Sequence, residues 1–346
     1  MASNGMRGRH MRRRLLLALV GVATLGTIAA PAALGQTPGT NGRVAFMRKD
    51  ANDLWQIWTS NPDLTKQVKL TSLNANSGWV SWSPNGNRIA FDSDRADPNP
   101  SDDIFINDVF TVRADGSDVV KLTDSNDFSG DASYSPSGQW IAFDSDRDGP
   151  LSIYLMRADG SDVRRVTTAP AGMIDSEPTF SPDGKKLVFA RIHDGHMNKH
   201  GQLRGDDSAL FTVNVDGSAL KRITGWGERV NQASWSPDGK RIVYEDACCY
   251  NGNADIYTIS PNGGGHARLT NGASVLVNRS QFRIDGFYDP IWSPDGTKVL
   301  VGHEVAANGS YRSGLAMINA DGTGLDWVSP ATDGEHQFDW GTAPLQ

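Results

Sequence analysis

The chain has 346 residues, 38% hydrophobic and 21% charged, with a formal net charge of −7. That apolar share over that length excludes disorder in bulk, because a large core can be buried. The acidic balance excludes nucleic acid as a partner, since phosphates call for a basic footprint.

Residues 1–35 stand apart from the rest. Arg7, Arg9, Arg12, Arg13 and Arg14 make a basic start, Leu15 to Ala30 an apolar run, and Ala30-Pro-Ala32 and Ala33-Leu-Gly35 offer small-residue cleavage sites. This is the tripartite pattern of a secretory signal peptide, so the protein is expected to be exported: secreted, periplasmic or associated with the cell envelope. The competing reading is a retained anchor, because the apolar run approaches a bilayer span; membrane contact would then be made only through the uncleaved leader. Arg12-Arg13-Arg14-Leu15-Leu16 partly fits a twin-arginine signal, which leaves that route and the general secretory route both open. Losing the leader's five cations moves the charge to −12, which suits cations or a basic partner.

From residue 36 onward the chain repeats. An aromatic residue enters a Ser-Pro-x-Gly turn that feeds a short alternating strand: WSPNGNRIAF from Trp82, YSPSGQWIAF from Tyr134, FSPDGKKLVF from Phe180, WSPDGKRIVY from Trp235 and WSPDGTKVLV from Trp292. Proline presets the first inner position of a β-turn, and glycine takes a backbone conformation costly to other residues. Two further strands follow each unit, joined in four copies by Asp-Gly at Asp115, Asp159, Asp216 and Asp321, a strong hairpin signal. The last strands end in threonine, at Thr123, Thr167 and Thr224. In the fourth copy the spacing predicts strands over Asn231 to Trp235, Arg241 to Glu245, Asp255 to Ser260 and His266 to Thr270. Four antiparallel strands repeated every roughly 45 to 57 residues indicate a β-propeller with one sheet per blade.

The two ends complete each other. Asn41 to Phe46 begins at a second strand, with Leu54 to Trp58 and Gln67 to Thr71 after it, while His336 to Trp340 reads as a lone first strand. Joining them gives a sixth blade and removes the open edges of the array. The expected fold is therefore an all-β, six-bladed propeller over residues 36–346, closed by the C-terminal strand.

The WSPDG-(K/R)-(I/V)-(A/V)-F unit, the D-(I/L)-(Y/F) strands, the DGS turns and the (R/K)-(I/L/V)-T endings resemble the PD40, or WD40-like, repeats of TolB-like six-bladed propellers. The resemblance runs over residues 41 to 341. It is to the propeller alone, without the α/β domain that precedes it in TolB. It speaks for fold more than for function, since one fold hosts many functions.

Short turns gather on one face of such a propeller and longer connections on the other. The long ones are Ser93 to Asn107, Arg191 to Ser208, Asp246 to Ala254, Asn271 to Phe287 and His303 to Ser313, and binding usually resides in such loops. Three residues before each aromatic anchor stand Trp79, Asp131, Glu177, Gln232, Asp289 and Gln337. Around one axis these would ring the channel mouth on the long-loop face and attract a cation or a basic segment; the alternative is that they cap strand ends in solvent. Pro178 and Pro290 are expected to hold Glu177 and Asp289 in extended backbone. His193, His196 and His200 fall in one loop and are candidate ligands for a divalent cation, against a plain solvated loop. Asp144-Ser-Asp-Arg-Asp-Gly149 matches half of a calcium loop but lacks the distal glutamate, and reads as a hairpin turn. Cys248 and Cys249, the sole cysteines, are either a vicinal disulfide or free or intermolecular thiols.

No nucleophile elbow, phosphate loop or dinucleotide fingerprint occurs. The expected function is a non-catalytic module that binds a protein or peptide, basic or associated with the envelope, through the long-loop face and channel mouth. The alternative is a metal-dependent propeller enzyme of lyase or lactonase type. The resemblance implies that alternative, because related propellers hold a metal at the channel mouth.

Overall fold

Each Ser-Pro-x-Gly turn is fixed by bonds among its own residues. In the fourth copy Gly239 N–H donates to the Ser236 carbonyl at 2.9 Å, while Ser236 Oγ donates to Asp238 at 2.7 Å and accepts Arg241 N–H at 2.9 Å. Gly239 sits at a φ of 69°, where a side chain would strain the backbone. The turn thus sets the register of the two strands it joins. The computed structural model describes residues 39–72, 74–96, 107–124, 127–193, 208–246, 254–272, 275–278, 281–307, 310–328 and 335–342.

Six antiparallel sheets follow. From the axis outward, the first blade holds Ser77–Trp82, Arg88–Ser93, Asp108–Arg113 and Val120–Lys121, and the second Ser129–Tyr134, Trp140–Ser145, Ser152–Arg157 and Arg164–Arg165. The third holds Met173–Phe180, Lys186–His193, Ser208–Asn214 and Lys221–Arg222; the fourth holds Asn231–Trp235, Ile242–Asp246, Asp255–Ile259 and Ala267–Arg268. The fifth is built on Gln281–Trp292, Lys298–Ala307, Ser310–Asn319 and Asp326–Trp327. The sixth joins His336–Trp340 to Val44–Lys49, Trp55–Ser60 and Val68–Lys69. Pairing of Val44 with Trp340 and of Ala45 with Asp339 closes the ring as the sequence implies.

The aromatic anchors explain why the blades stack. A hydrophobic cluster fills every gap between neighbours, and each anchor wedges against the blade before it. Trp82 packs with Ala45 and Ile57, Tyr134 with Ala90 and Val109, Phe180 with Ala142 and Ile153. Trp235 packs with Val188 and Leu210, Trp292 with Val243 and Ile256, and Trp340 with Leu300 and Leu315. The Asp-Gly hairpins add to the same interfaces: a Cβ at Gly160 would lie 2.8 Å from the Leu122 carbonyl of the preceding blade.

The outermost strands are shorter than expected. His266 to Thr270 was read as a strand, yet only Ala267–Arg268 pairs as one. The threonine ending takes over the ladder instead. Thr270 Oγ1 accepts Ile256 N–H at 2.8 Å and donates to Asp255 at 2.7 Å, and Thr71, Thr123, Thr167 and Thr224 accept equivalent amides. Replacing the buried Thr270 by valine is expected to cost about 2 kcal/mol, because a buried amide and a carboxylate both lose a partner. Thermal unfolding of Thr270→Val checks this, and an unchanged Tm would leave the hydroxyl incidental.

The fifth blade also departs from expectation. Asn271 to Phe287 and His303 to Ser313 were read as loops, but their backbones carry strands of 10 to 12 residues and an added strand, Val275–Asn278. The ladder from Ile284↔Ala306 to Trp292↔Val299 shows that the hairpin continues beyond the length of the other blades. Interspersed Gly, Asp and Tyr masked the alternation there. Residues 1–35, expected to be a leader, lie outside the described residues.

Candidate functional site

The six positions three residues before the anchors share one conformation. Trp79, Asp131, Glu177, Gln232, Asp289 and Gln337 have φ between 46° and 58°, the left-handed region. The innermost strand of every blade breaks register at this point, so a β-bulge places an extra residue against its partner strand. Glu177 and Asp289 are therefore not extended, despite the prolines that follow them. The bulge, repeated around the ring, overrides the local preference of a residue before proline. Its effect is to turn all six side chains toward the axis.

All six line one central cavity of about 120 Å³, enough for several waters or one slender side chain. Its wall continues along the innermost strands to Pro84 and Pro136 of the Ser-Pro turns. The ring thus bounds the end of the cavity remote from the Ser-Pro turns.

Hydrogen bonds link the ring from blade to blade. Glu177 accepts the backbone N–H of Gln232 at 2.7 Å and its side-chain amide at 3.0 Å. Asp289 accepts the same pair of groups from Gln337, at 2.9 and 3.3 Å. Glu245 accepts Asp289 N–H at 2.9 Å, and Asp339 accepts Trp82 N–H at 2.6 Å. The left-handed amides of Gln232, Asp289 and Gln337 thus find carboxylates of the preceding blade, as does the Trp82 amide three residues beyond its own bulge. Two of the three ring carboxylates have this structural duty beside any binding role.

The site is more acidic than the sequence suggested. Asp92, Asp144 and Glu245, each directly after the second-strand aromatic, are buried behind the ring, and Asp339 lines the cavity beside Trp340. The signal was an acid after Phe91, Phe143 and Tyr244, present in only three blades. Burial pushes Asp92, Asp144 and Glu177 up to about 7 and Asp339 up to about 6. Asp131 is held well above the usual carboxylate range by burial, then by the charges of Asp144 and Glu177. Glu245 is raised in the same way by burial and Asp289. Asp289 is raised by burial, moderated by the Gln337 amide and by His336, whose Nδ1 is 4.0 Å away. Asp131 and Glu177 are half-buried, facing the channel yet enclosed by protein, so water can reach them without fully solvating them. Burial and mutual repulsion thus favour the protonated form of these carboxyls.

The other candidates fare differently. His193 ends its strand stacked edgewise on Trp226 at 4.9 Å. His196, His200, Cys248 and Cys249 lie outside the described residues. Among the described residues no three His, Cys, Asp or Glu side chains are arranged to hold a metal ion. Residues 146–149 form a turn in which Asp148 accepts the Tyr154 hydroxyl at 2.8 Å, while Asp144 belongs to the acids behind the ring.

A family model described as the TolB beta propeller domain, PD40, matches residues 101–203. An uncharacterized protein, Atu1656, of Agrobacterium fabrum is 31% identical over 179 residues, covering 51% of this chain and 57% of its own length. The chain spans between 30% and 57% of the length of the curated relatives it matches. Among solved structures, TolB from Acinetobacter baumannii superposes with a TM-score of 0.63 at 20% identity, covering 88% of this chain and 68% of that one. Oligogalacturonate lyase in complex with manganese superposes with a TM-score of 0.55 at 12% identity, covering 84% and 74%. At these identities the structural likenesses establish fold alone, that of a six-bladed β-propeller.

Proposed function

We propose that this TolB-like six-bladed propeller is an exported, non-catalytic module that binds a basic protein or peptide segment, with the acidic axis as its anchor point. One observation carries the reading. The described lining of the axial cavity holds the carboxyl groups of Asp131, Glu177, Asp289 and Asp339 and no Lys, Arg or His. Carboxylates gathered on one axis repel each other and stay neutral by keeping protons until a cation arrives. A lysine or arginine side chain on an extended segment matches the charge of the cavity, and its volume of about 120 Å³ suits one slender side chain. The long-loop connections would supply the remaining contacts.

The test is titration of a hexalysine peptide into the mature protein and into the Asp131→Asn/Glu177→Gln/Asp289→Asn variant. The single amide oxygen of each replacement can still accept the backbone N–H of Gln232 or Gln337, and only the weaker side-chain bond is given up, so folding is expected to survive. Affinity is expected to fall at least about tenfold, and wild-type binding to weaken with salt. Equal binding by a folded variant would reduce these residues to interblade staples.

The enzyme reading draws support from the shared fold of the manganese-bound lyase. The described residues do not supply a fitting metal centre, so no catalytic step is derived from one. Tightly held stoichiometric zinc, manganese or calcium in the purified mature protein would favour that reading.

A further inference from the structure

The blade repeats a polar device at the start of its second strand. In the first blade Arg88 donates to the Asp118 carboxylate at 2.8 Å, to the Asp118 carbonyl at 2.8 Å, and to Thr111 at 3.1 Å. In the third and fifth blades Lys186 and Lys298 donate to Asn214 and Asn319 at 2.8 and 2.9 Å. In the fourth blade Arg241 donates to Thr258 at 3.3 Å. The closing blade places Arg43 at the equivalent position, one residue before the Val44↔Ser60 pair as Arg88 is before Ile89↔Val112.

Arg43 is only 3% exposed, and its Nε and Nη2 have no hydrogen-bond partner. The fully buried Thr59, counterpart of Thr111, likewise has an unpartnered hydroxyl. The cause is in the sequence. Both hairpins follow one pattern, with Asn61 N–H bonded to Thr65 as Arg113 N–H is to Ser117, so the residue after each, Lys66 or Asp118, is equivalent. Those two residues share a left-handed φ of 53° and 54°. Where the first blade has the acid that Arg88 grips, the closing blade has a second cation. Burial shifts the Arg43 guanidinium downward, and no acid among the described residues opposes it. The backbone cannot swing the side chain out, because Gly42 O accepts Trp340 Nε1 and Arg43 O accepts Gly341 N–H, both at 3.0 Å.

A buried guanidinium needs a counter-charge. We propose that Arg43, with Thr59 and Lys66, forms a binding site for a small oxyanion of the phosphate or sulfate type in the closing blade. The planar guanidinium supplies a donor fork, the hydroxyl a third donor, and Lys66 the charge that draws the anion in. The site is separate from the acidic axis and of opposite sign. It ties occupancy to the seam where the two ends of the ring meet.

The test is thermal unfolding of the full-length protein in inorganic phosphate against chloride at equal ionic strength. Wild type is expected to gain roughly 2 °C in phosphate beyond any general salt effect. Arg43→Met should lose that increment. Lys66→Asp, which restores the pair of the first blade, should melt higher than wild type in chloride and gain nothing specific from phosphate. If both variants gain as much as wild type, the effect is general exclusion of salt from the surface and the site does not exist. No gain in wild type would overturn it equally.

Discussion

Deleting residues 335–346 is expected to abolish cooperative unfolding. The deletion removes the innermost strand of the closing blade, with Phe338 and Trp340 both buried in the cluster between the fifth and sixth blades. Losing buried aromatics costs about 3–5 kcal/mol each, and two of them rival the roughly 5–15 kcal/mol that keeps a whole domain folded. Further bonds go with them. Trp82 N–H loses Asp339, Gly42 N–H loses the Gly341 carbonyl, and Asp289 loses Gln337. The remaining fragment would present Val44–Lys49 as an open edge, ready to pair with another copy. Circular dichroism melts should show a broad, early transition, and size-exclusion chromatography should show association. A sharp transition at the wild-type temperature would mean that the ring does not depend on its last strand.

The second large effect is on pH. Asp144 and Asp92 are 0% and 2% exposed, and both are pushed to about 7 by burial. A carboxyl raised in the folded state binds its proton more tightly there than in the unfolded chain. Its contribution is therefore complete below about pH 4 and lost as pH rises through about 7. Around Asp144 the facing groups are Asp131 on its own blade, Asp92 on the blade before and Glu177 on the blade after, and no described cation is among the chief influences on any of them. The turn acids behave in the opposite sense. Asp115, Asp159, Asp216 and Asp321 are held below the usual range by Ser117, Ser161, Ser218 and Thr323, so their contribution is lost only in acid. Between pH 5 and 8.5 the buried group dominates, and the Tm is expected to fall. Asp144→Asn should flatten that fall by an amount on the order of 2 kcal/mol, most visibly above pH 7. Parallel profiles for wild type and variant would show that Asp144 is already ionised in the folded protein.

The fold was legible because the repeat is written in residues with narrow backbone choices. Pro84, Gly86 and their counterparts mark the turns, and the aromatic anchors mark the interblade gaps. The ring positions were legible for the same reason, as a constant offset from each anchor. What they do there was less so. A β-bulge leaves little trace in sequence when Trp, Asp, Glu and Gln all occupy it, and Pro178 and Pro290 pointed to the opposite conformation. The acids behind the ring escaped notice because only Asp92, Asp144 and Glu245 carry the pattern, while Ala190, Gly302 and Met47 fill the same place in the other blades. The orphaned Arg43 leaves no trace in sequence, since only the shared hairpin geometry makes Lys66 the counterpart of Asp118.

A cation entering the axis is expected to displace protons from its carboxyls. Calorimetric titration of hexalysine into the protein at pH 7, in two buffers with different heats of ionisation, measures this directly. Binding is expected to release protons, because carboxyls near half-protonation ionise when a positive charge enters. The Asp131→Asn/Glu177→Gln/Asp289→Asn variant should release fewer and bind more weakly. Binding with the same heat in both buffers, or undiminished in the variant, would place recognition elsewhere on the propeller.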